Sequence, residues 1–184
     1  EISTKNRYDT TLPTAILSVI SQTRKPERLT IYDDTDNDKR RDLRNDPLYT
    51  HLFNLLQEKG IFWEVIFGSG RGQIFNHQMA IERAETTWIW RLDDDDYAEP
   101  DCLEKLIRNI RPDVGAVSSL VLTPGGIIGE NIASSMIQDI YSKPNLQWAR
   151  FEGVREVDHF NNTFLFRKVA GAHGYPMYLS PAGH

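Results

Sequence analysis

The chain has 184 residues, of which 40% are apolar and 26% are charged, an ordinary balance for one globular domain. Lys and Arg number 21 and Asp and Glu number 26, so the net charge is −5, which argues against a protein that binds nucleic acid non-specifically. Cys102 is the single cysteine, which excludes an intrachain disulfide and a cysteine-rich zinc site. No run of about 18 uninterrupted apolar residues occurs, so the sequence predicts no membrane-spanning helix.

The first predicted elements are a strand at 1–4 and a helix at 12–22. The helix is indicated by apolar residues at spacings of three and four: Leu12, Ala15, Ile16, Val19 and Ile20. Pro13 is tolerated in the first helical turn, and Pro26 prevents the helix from running further. The later elements alternate in the same way, with strands at 29–32, 61–67, 88–92, 114–122 and 164–166 and helices around 48–59, 73–84 and 100–110.

This alternation predicts an α/β fold with a Rossmann-like, mostly parallel sheet flanked by helices. In such sheets, ligands bind beyond the carboxyl ends of the strands. The two densest acidic clusters, Asp33-Asp34 and Asp93–Asp96, each follow directly after a predicted strand. We therefore expect both clusters at the same edge of the sheet, and a ligand site at that edge.

Four adjacent aspartates repel one another unless a cation or water neutralises them. If the preceding strand ends at Leu92, the carboxylates of Asp93 and Asp95 project to one side and that of Asp94 to the other. Two carboxylates with further coordination positions open to phosphate and water suit Mg²⁺ or Mn²⁺. Two other interpretations stay open: a solvated acidic turn before the helix at 100–110, and a solvated loop for the polar segment 35–47.

Several short segments, in their order and spacing, resemble family 2 glycosyltransferases of the GT-A fold. They match the opening of that family, its metal-binding Asp-x-Asp motif and a segment on the acceptor side: Ile2–Arg7, Leu12-Pro13, Ala15–Val19, Gln22-Thr23, Pro26, Ile31–Asp34, Trp90–Tyr97, Pro100-Asp101, Val157–His159 and Phe164–Arg167. The resemblance spans residues 1–167 or further. It implies one catalytic domain over 1–184, with a nucleotide-sugar half at 1–97 and an incomplete acceptor-side half at 98–184.

The resemblance also implies the binding site for a nucleotide-diphosphate sugar, with a UDP-sugar as the expected donor. The residues it places at the donor are Ser3, Thr4, Asn6, Arg7, Asp33, Asp34, Arg71, Gln78, Asp93 and Asp94. Within this set, Asp34 is expected to accept a hydrogen bond from the base. Asp95 is expected to bind Mn²⁺ or Mg²⁺ together with Asp93, and Asp158 and His159 are expected on the acceptor side.

The implied reaction is direct displacement with inversion at the anomeric carbon, as in a hexosyltransferase of polysaccharide biosynthesis. A carboxylate base removes the proton of a glycan or other hydroxyl acceptor, and the metal stabilises the departing diphosphate. The resemblance places this base beyond His184, so the chain is expected to be part of a longer protein. It further implies a cytoplasmic location, with room for peripheral association at the inner face of a membrane.

Two alternatives to a glycosyltransferase stay open. A sugar-nucleotide nucleotidyltransferase should carry a glycine-rich phosphate loop after the first strand, and residues 3–7 contain no glycine. A catalytically silent module that binds a nucleotide or a sugar would account for the absence of an identifiable base.

Overall fold

A computed structural model of the chain describes residues 1–112, 116–118 and 163–166. Its main sheet has four strands, in the order β3 (Phe62–Phe67), β2 (Arg28–Asp33), β1 (Ile2–Thr4) and β5 (Leu92–Asp93). All three pairings are parallel. The register sets Thr4 beside Asp33, Asp33 beside Phe67, and Ser3 beside Asp93, so the four strands end together at one edge. We call this the carboxyl edge.

A second, antiparallel sheet contains β4 (Trp88–Trp90), β7 (Thr163–Phe166) and β6 (Ala116–Ser118), with β7 in the centre. The sequence predicted one strand over 88–92, and this prediction is wrong in its detail. Residues 88–90 pair with β7, whereas Leu92 and Asp93 pair with β1, so the segment passes from one sheet to the other at Arg91. A bend of this kind lets a single segment serve two sheets, and apolar patterning does not reveal it.

In the part of the chain that the structure describes, the α-helices are α1 (Leu12–Ser21), α2 (Pro47–Glu58), α3 (Gln73–Arg83) and α4 (Cys102–Arg108). The four predicted helices are thus confirmed, although α4 is shorter at both ends than expected. The start of α2 has a clear cause, since Asp46 Oδ1 accepts a hydrogen bond from the Leu48 amide at 2.9 Å and Pro47 supplies a preset helical φ. Among the described residues, no helix reaches the length and hydropathy needed to cross a bilayer.

The core lies between α1 and the main sheet. The predicted apolar face of α1 is buried, and Leu12, Ala15 and Ile16 have no exposed surface. They pack with Ile2 and Ile31, which face them from β1 and β2. Each such side chain contributes about 1.5–3 kcal/mol by leaving water. This packing fixes α1 on the sheet and therefore fixes the loop, residues 5–11, that joins β1 to α1 at the carboxyl edge. All of the described residues belong to one compact unit.

Gln22 joins the end of α1 to the segment that leads into α4. Its side chain is fully buried. The amide nitrogen donates to the carbonyls of Ser18 at 3.0 Å and Glu99 at 2.8 Å, and the amide oxygen accepts from the Leu103 backbone at 2.9 Å. One side chain therefore satisfies backbone groups of two elements, including an amide in the first turn of α4 that has no partner within its own helix.

Replacing Gln22 by alanine should lower the free energy of unfolding by about 2–4 kcal/mol, because buried backbone groups lose their partners. The matched control is Gln57→Ala, since Gln57 is exposed on α2. Urea unfolding followed by circular dichroism measures both variants. Equal stability of the two variants would show that the Gln22 hydrogen bonds contribute nothing net.

Candidate functional site

The carboxyl edge brings together polar residues that are far apart in the sequence. Ser3 and Thr4 end β1, Asp33 ends β2 and is followed by Asp34, and Asp93 ends β5. All but Asp93 are buried, with at most 6% of their surface exposed. Buried polar groups need partners, and those partners show what each residue does.

Asp33 is held from two sides. Its Oδ1 accepts a hydrogen bond from the Thr35 amide at 2.9 Å, and its Oδ2 accepts one from the Tyr8 hydroxyl. Burial, together with the hydrogen bond to Asp33, raises the pKa of the Tyr8 phenol to about 12. The phenol therefore stays a donor at neutral pH. Tyr49 donates to the Tyr8 carbonyl at 2.7 Å, which links this pair to α2.

Asp34 is bound to a glycine-rich loop. The loop, residues 68–72, follows β3 and leads into α3. Asp34 Oδ1 accepts from the Gly70 amide at 3.1 Å and Oδ2 accepts from the Gly72 amide at 2.7 Å. Gly68 passes so close that a Cβ there would lie 1.8 Å from Oδ1. Gly68 is therefore required by space, whereas Gly70 and Gly72 adopt positive φ of 72° and 89°.

The four aspartates form an acidic turn, residues 93–96, in which the Asp96 amide donates to the Asp93 carbonyl at 3.2 Å. The strand ends at Asp93. Strand alternation therefore does not extend to Asp94 and Asp95, and the sequence argument that paired Asp93 with Asp95 on one side loses its basis. The reason is that the strand includes only the first of the four aspartates, Asp93, and the chain turns directly after it.

Asp94 and Asp95 share a cation. Asp94 is buried, accepts a hydrogen bond from Thr4 Oγ1 at 2.7 Å, and lies 3.6 Å from Arg7 Nε. Arg7 Nη1 lies 3.2 Å from Asp95 Oδ2, and the Asp95 side chain is 48% exposed. Burial raises the pKa of the Asp94 carboxyl, while Thr4 and Arg7 oppose the shift. The residue with the more accessible carboxylate is therefore Asp95.

Asp93 contacts two further side chains. Gln73 Nε2 donates to Asp93 Oδ1 at 3.1 Å, and Arg91 Nη2 lies 3.3 Å from the same oxygen. One turn along α3, Asn76 Nδ2 donates to Ser3 Oγ at 2.9 Å. Gln73, Asn76 and Tyr8 are not among the individual site residues predicted from the sequence. The available signal was the pair of amides spaced three apart at the start of a helix that follows a glycine-rich loop.

The remaining residues predicted to contact the nucleotide sugar lie in the loops after β1 and β3 and on α3. Asn6 has a φ of 59° and donates from Nδ2 to Asp36 Oδ2 at 2.7 Å, which ties the loop after β1 to the loop after β2. The Arg71 guanidinium is exposed and lies over the Phe75 ring, 3.9 Å from its centroid. Gln78 donates to Glu82 Oε1 at 2.7 Å, one turn further along α3. The role of each of these residues at the nucleotide sugar stays a prediction.

The carboxylate oxygens of the acidic turn are ligands that suit a hard divalent cation. The described residues include no cluster of three or more metal-ligating side chains. Mg²⁺ and Mn²⁺ are commonly held by one or two carboxylates together with phosphate oxygens. Asp95 offers an accessible carboxylate, and Asp93 offers a second one at the end of β5. These residues would hold such an ion. The acceptor-side predictions, Asp158 and His159, lie outside the described residues.

A cavity of about 660 Å³ lies at the opposite edge of the sheet, where β2, β3 and β4 begin. Its lining includes Arg28, Phe62 and Trp88. None of the predicted donor residues lines it, so the cavity does not coincide with the chemistry gathered at the carboxyl edge.

Replacing Tyr8 by phenylalanine should destabilise the protein by about 1–3 kcal/mol at pH 7, because Asp33 Oδ2 loses its buried donor. Since the folded-state pKa of Tyr8 is above the ordinary value of 10, the protein should lose stability as pH rises from 10 to about 12. This loss should be shallower in the Tyr8→Phe variant. Urea unfolding between pH 7 and 12 measures it, and an unchanged slope would contradict the assignment.

Replacing Gly68 by alanine should cost about 3 kcal/mol or more, because the new methyl group and the Asp34 carboxylate cannot occupy the same space. Gly60→Ala is the matched control. Gly60 has a φ of 72° with open space around its Cβ position, so only the left-handed backbone is penalised there, by about 1–2 kcal/mol. Thermal unfolding compares the two variants, and a smaller loss at Gly68 would refute the close approach.

The comparisons with solved structures identify the architecture. A mannosyltransferase from Pyrobaculum calidifontis, PcManGT, solved with GDP-Man and Mn²⁺, aligns with 99% of this chain and 48% of its own at a TM-score of 0.65 and 14% identity. S. aureus TarS 1-349, solved with UDP, aligns with 99% of this chain and 51% of its own at a TM-score of 0.63 and 12% identity. The chain thus spans about half the length of these proteins, and the likeness shows the GT-A fold that the sequence predicted.

A comparison with curated protein sequences finds no match. The sequence pattern of Glycosyl transferase family 2, in contrast, matches residues 2–170, which is most of the chain and includes every strand that ends at the carboxyl edge. The match agrees with the resemblance carried by the short segments. This chain therefore belongs to glycosyl transferase family 2.

Proposed function

We propose that the chain is the donor-binding part of an inverting glycosyltransferase of the hexosyltransferase type, which moves a sugar from a nucleotide diphosphate to a hydroxyl acceptor. The observation that supports it most is the arrangement of Arg7, Asp94 and Asp95 beside Thr4 at the carboxyl edge. The solved complexes of PcManGT with GDP-Man and Mn²⁺ and of TarS with UDP support the donor class and the metal. UDP-sugar stays the first donor to test.

The donor would lie across the carboxyl edge. The nucleobase of the donor would lie near Asp34 and the glycine-rich loop, with Arg71 at the border of this part of the site. The ribose and diphosphate would pass Ser3 and Thr4 toward the acidic turn, with Asn6, Asp33 and Gln78 as the less direct members of the site. Arg7 carries a permanent positive charge beside this path, so it can pair with a diphosphate as well as with Asp94 and Asp95.

The chemistry requires that the bond between the anomeric carbon and the diphosphate oxygen breaks as the acceptor oxygen attacks from the opposite face. A divalent cation would neutralise the charge that develops on the departing diphosphate. Asp95 would hold that cation, with Asp93 as the second carboxylate. The acceptor proton would pass to a carboxylate base.

The acceptor and the setting are proposed from the family alone. A glycan or another hydroxyl compound, in polysaccharide assembly at the cytoplasmic face of a membrane, would fit the family. The nucleotidyltransferase alternative gains no support, since residues 3–7 supply side chains and an asparagine with positive φ where a glycine-rich phosphate loop would be needed.

Calorimetric titration with UDP and with GDP, in Mn²⁺ and then in EDTA, tests the proposal. We expect one nucleotide to bind about 10-fold more tightly with Mn²⁺, and Asp95→Asn to remove this gain. The reason is that loss of a metal ligand, or of a residue that orients one, lowers metal affinity about 10-fold or more. Asp38→Asn is the matched control, since it removes one charge from an exposed side chain in the loop after β2. If neither nucleotide bound folded protein, the proposed function would be wrong.

A further inference from the structure

We propose that Asp34 is a positioning residue which controls the acidic turn through the glycine loop and Gln73. The inference rests on the proposed function, because it takes the acidic turn to be the diphosphate and metal end of the site. It adds to Asp34 a role distinct from a contact with the base. The two acidic clusters of the sequence would then be mechanically connected, although they lie 59 residues apart, from Asp34 to Asp93.

The first link joins Asp34 to the loop. Both of its carboxylate oxygens accept loop amides, from Gly70 at 3.1 Å and Gly72 at 2.7 Å. Hydrogen bonds to an ionised acceptor are among the stronger ones in proteins. The carboxylate is 95% buried, and the backbone of Gly68 packs directly against it. The Asp34 carboxylate therefore fixes both the middle and the end of the loop.

The second link joins the loop to the acidic turn. Gly72 is followed directly by Gln73, the first residue of α3, whose amide donates to Asp93 Oδ1 at 3.1 Å. Asn76 lies on the same helical face and donates to Ser3 Oγ at 2.9 Å. Ser3 and Asp93 are themselves neighbours in the register of β1 and β5. The first turn of α3 is thus fastened to both strands at the carboxyl edge.

The start of α3 depends on Asp34 because no side chain caps the backbone amides of its first turn. The residue before the helix is Gly72, at a φ of 89°, and Gly70 lies at 72°. Glycine explores such conformations freely when nothing holds it. Releasing the two loop amides would free the residue next to Gln73, and Asp93 would lose a partner that orients it.

The test measures the metal gain, defined as the ratio of the dissociation constants for UDP or GDP in EDTA and in Mn²⁺. A contact between Asp34 and the base affects both constants equally and cancels in this ratio, whereas a misplaced Asp93 lowers it. We expect Asp34→Asn and Gln73→Met each to reduce the metal gain about 3-fold, which leaves part of the gain of about 10-fold for the double variant to lose. Asp38→Asn should leave it unchanged.

The double variant Asp34→Asn/Gln73→Met separates a connected path from two independent effects. If Asp34 acts through Gln73, the double variant should retain as much metal gain as the single variant with the larger loss. A reduction equal to the product of the two single reductions would overturn the proposal. So would an unchanged metal gain in Asp34→Asn with UDP or GDP bound more weakly under both conditions, since that pattern describes a base contact alone.

Limited trypsin digestion distinguishes failure of this proposal from failure of the proposed function. Arg71 lies exposed in the middle of the loop. Mass spectrometry of the fragment cut after Arg71 should show faster cleavage in Asp34→Asn than in wild type or Asp38→Asn, with no nucleotide present. If wild type shows no metal gain, the proposed function fails, and the digestion still decides whether Asp34 holds the loop. Equal cleavage rates would refute that link.

Discussion

Parallel pairing of β1, β2 and β5 forces the carboxylates of two strand ends, Asp33-Asp34 and Asp93–Asp96, to share one edge of the sheet. Like charges brought together in a partly buried place are costly unless each finds a partner. Four of these carboxylates each have neutral hydrogen-bond donors of their own. Tyr8 donates a hydrogen bond to Asp33, and two glycine amides donate to Asp34. Gln73 donates to Asp93, and Thr4 donates to Asp94.

This division of partners separates the structural carboxylates from the one that can exchange its partner. Asp33 and Asp34 are buried and accept from neutral donors of the protein, and Asp94 is buried between the neutral Thr4 hydroxyl and the Arg7 guanidinium. Asp95 is half-exposed and contacts the guanidinium of Arg7, which is itself 42% exposed. An exposed ion pair contributes little to stability. The pair can therefore open with little loss of folding free energy, as the proposed binding of a metal or a diphosphate would require.

Much of the fold was predictable, because the signals that define its elements are local. The spacing of Leu12, Ala15 and Ile16 predicts α1, and the acidic residues after two strands predict the shared edge. The passage of 88–93 from one sheet to the other depends on β7, more than 70 residues later, and no local pattern encodes it. The contacts of Tyr8 with Asp33 and of Gln73 with Asp93 were not predicted, because spacing along the chain does not show which carboxylate a side chain meets in the fold.

The acidic turn is fixed on both sides while Asp95 within it stays accessible. Before it, β5 pairs with β1, and Thr4 binds Asp94; after it, Gln22 binds the Glu99 carbonyl, three residues beyond Asp96. Three residues span at most about 10 Å, so the anchored ends leave the turn little freedom. A carboxylate carried on a rigid support loses little further entropy when it binds an ion. The buried hydrogen bonds around the carboxyl edge would thus contribute to the proposed ion binding indirectly. They hold the acidic turn in place and so position the Asp95 carboxylate, which they do not themselves contact.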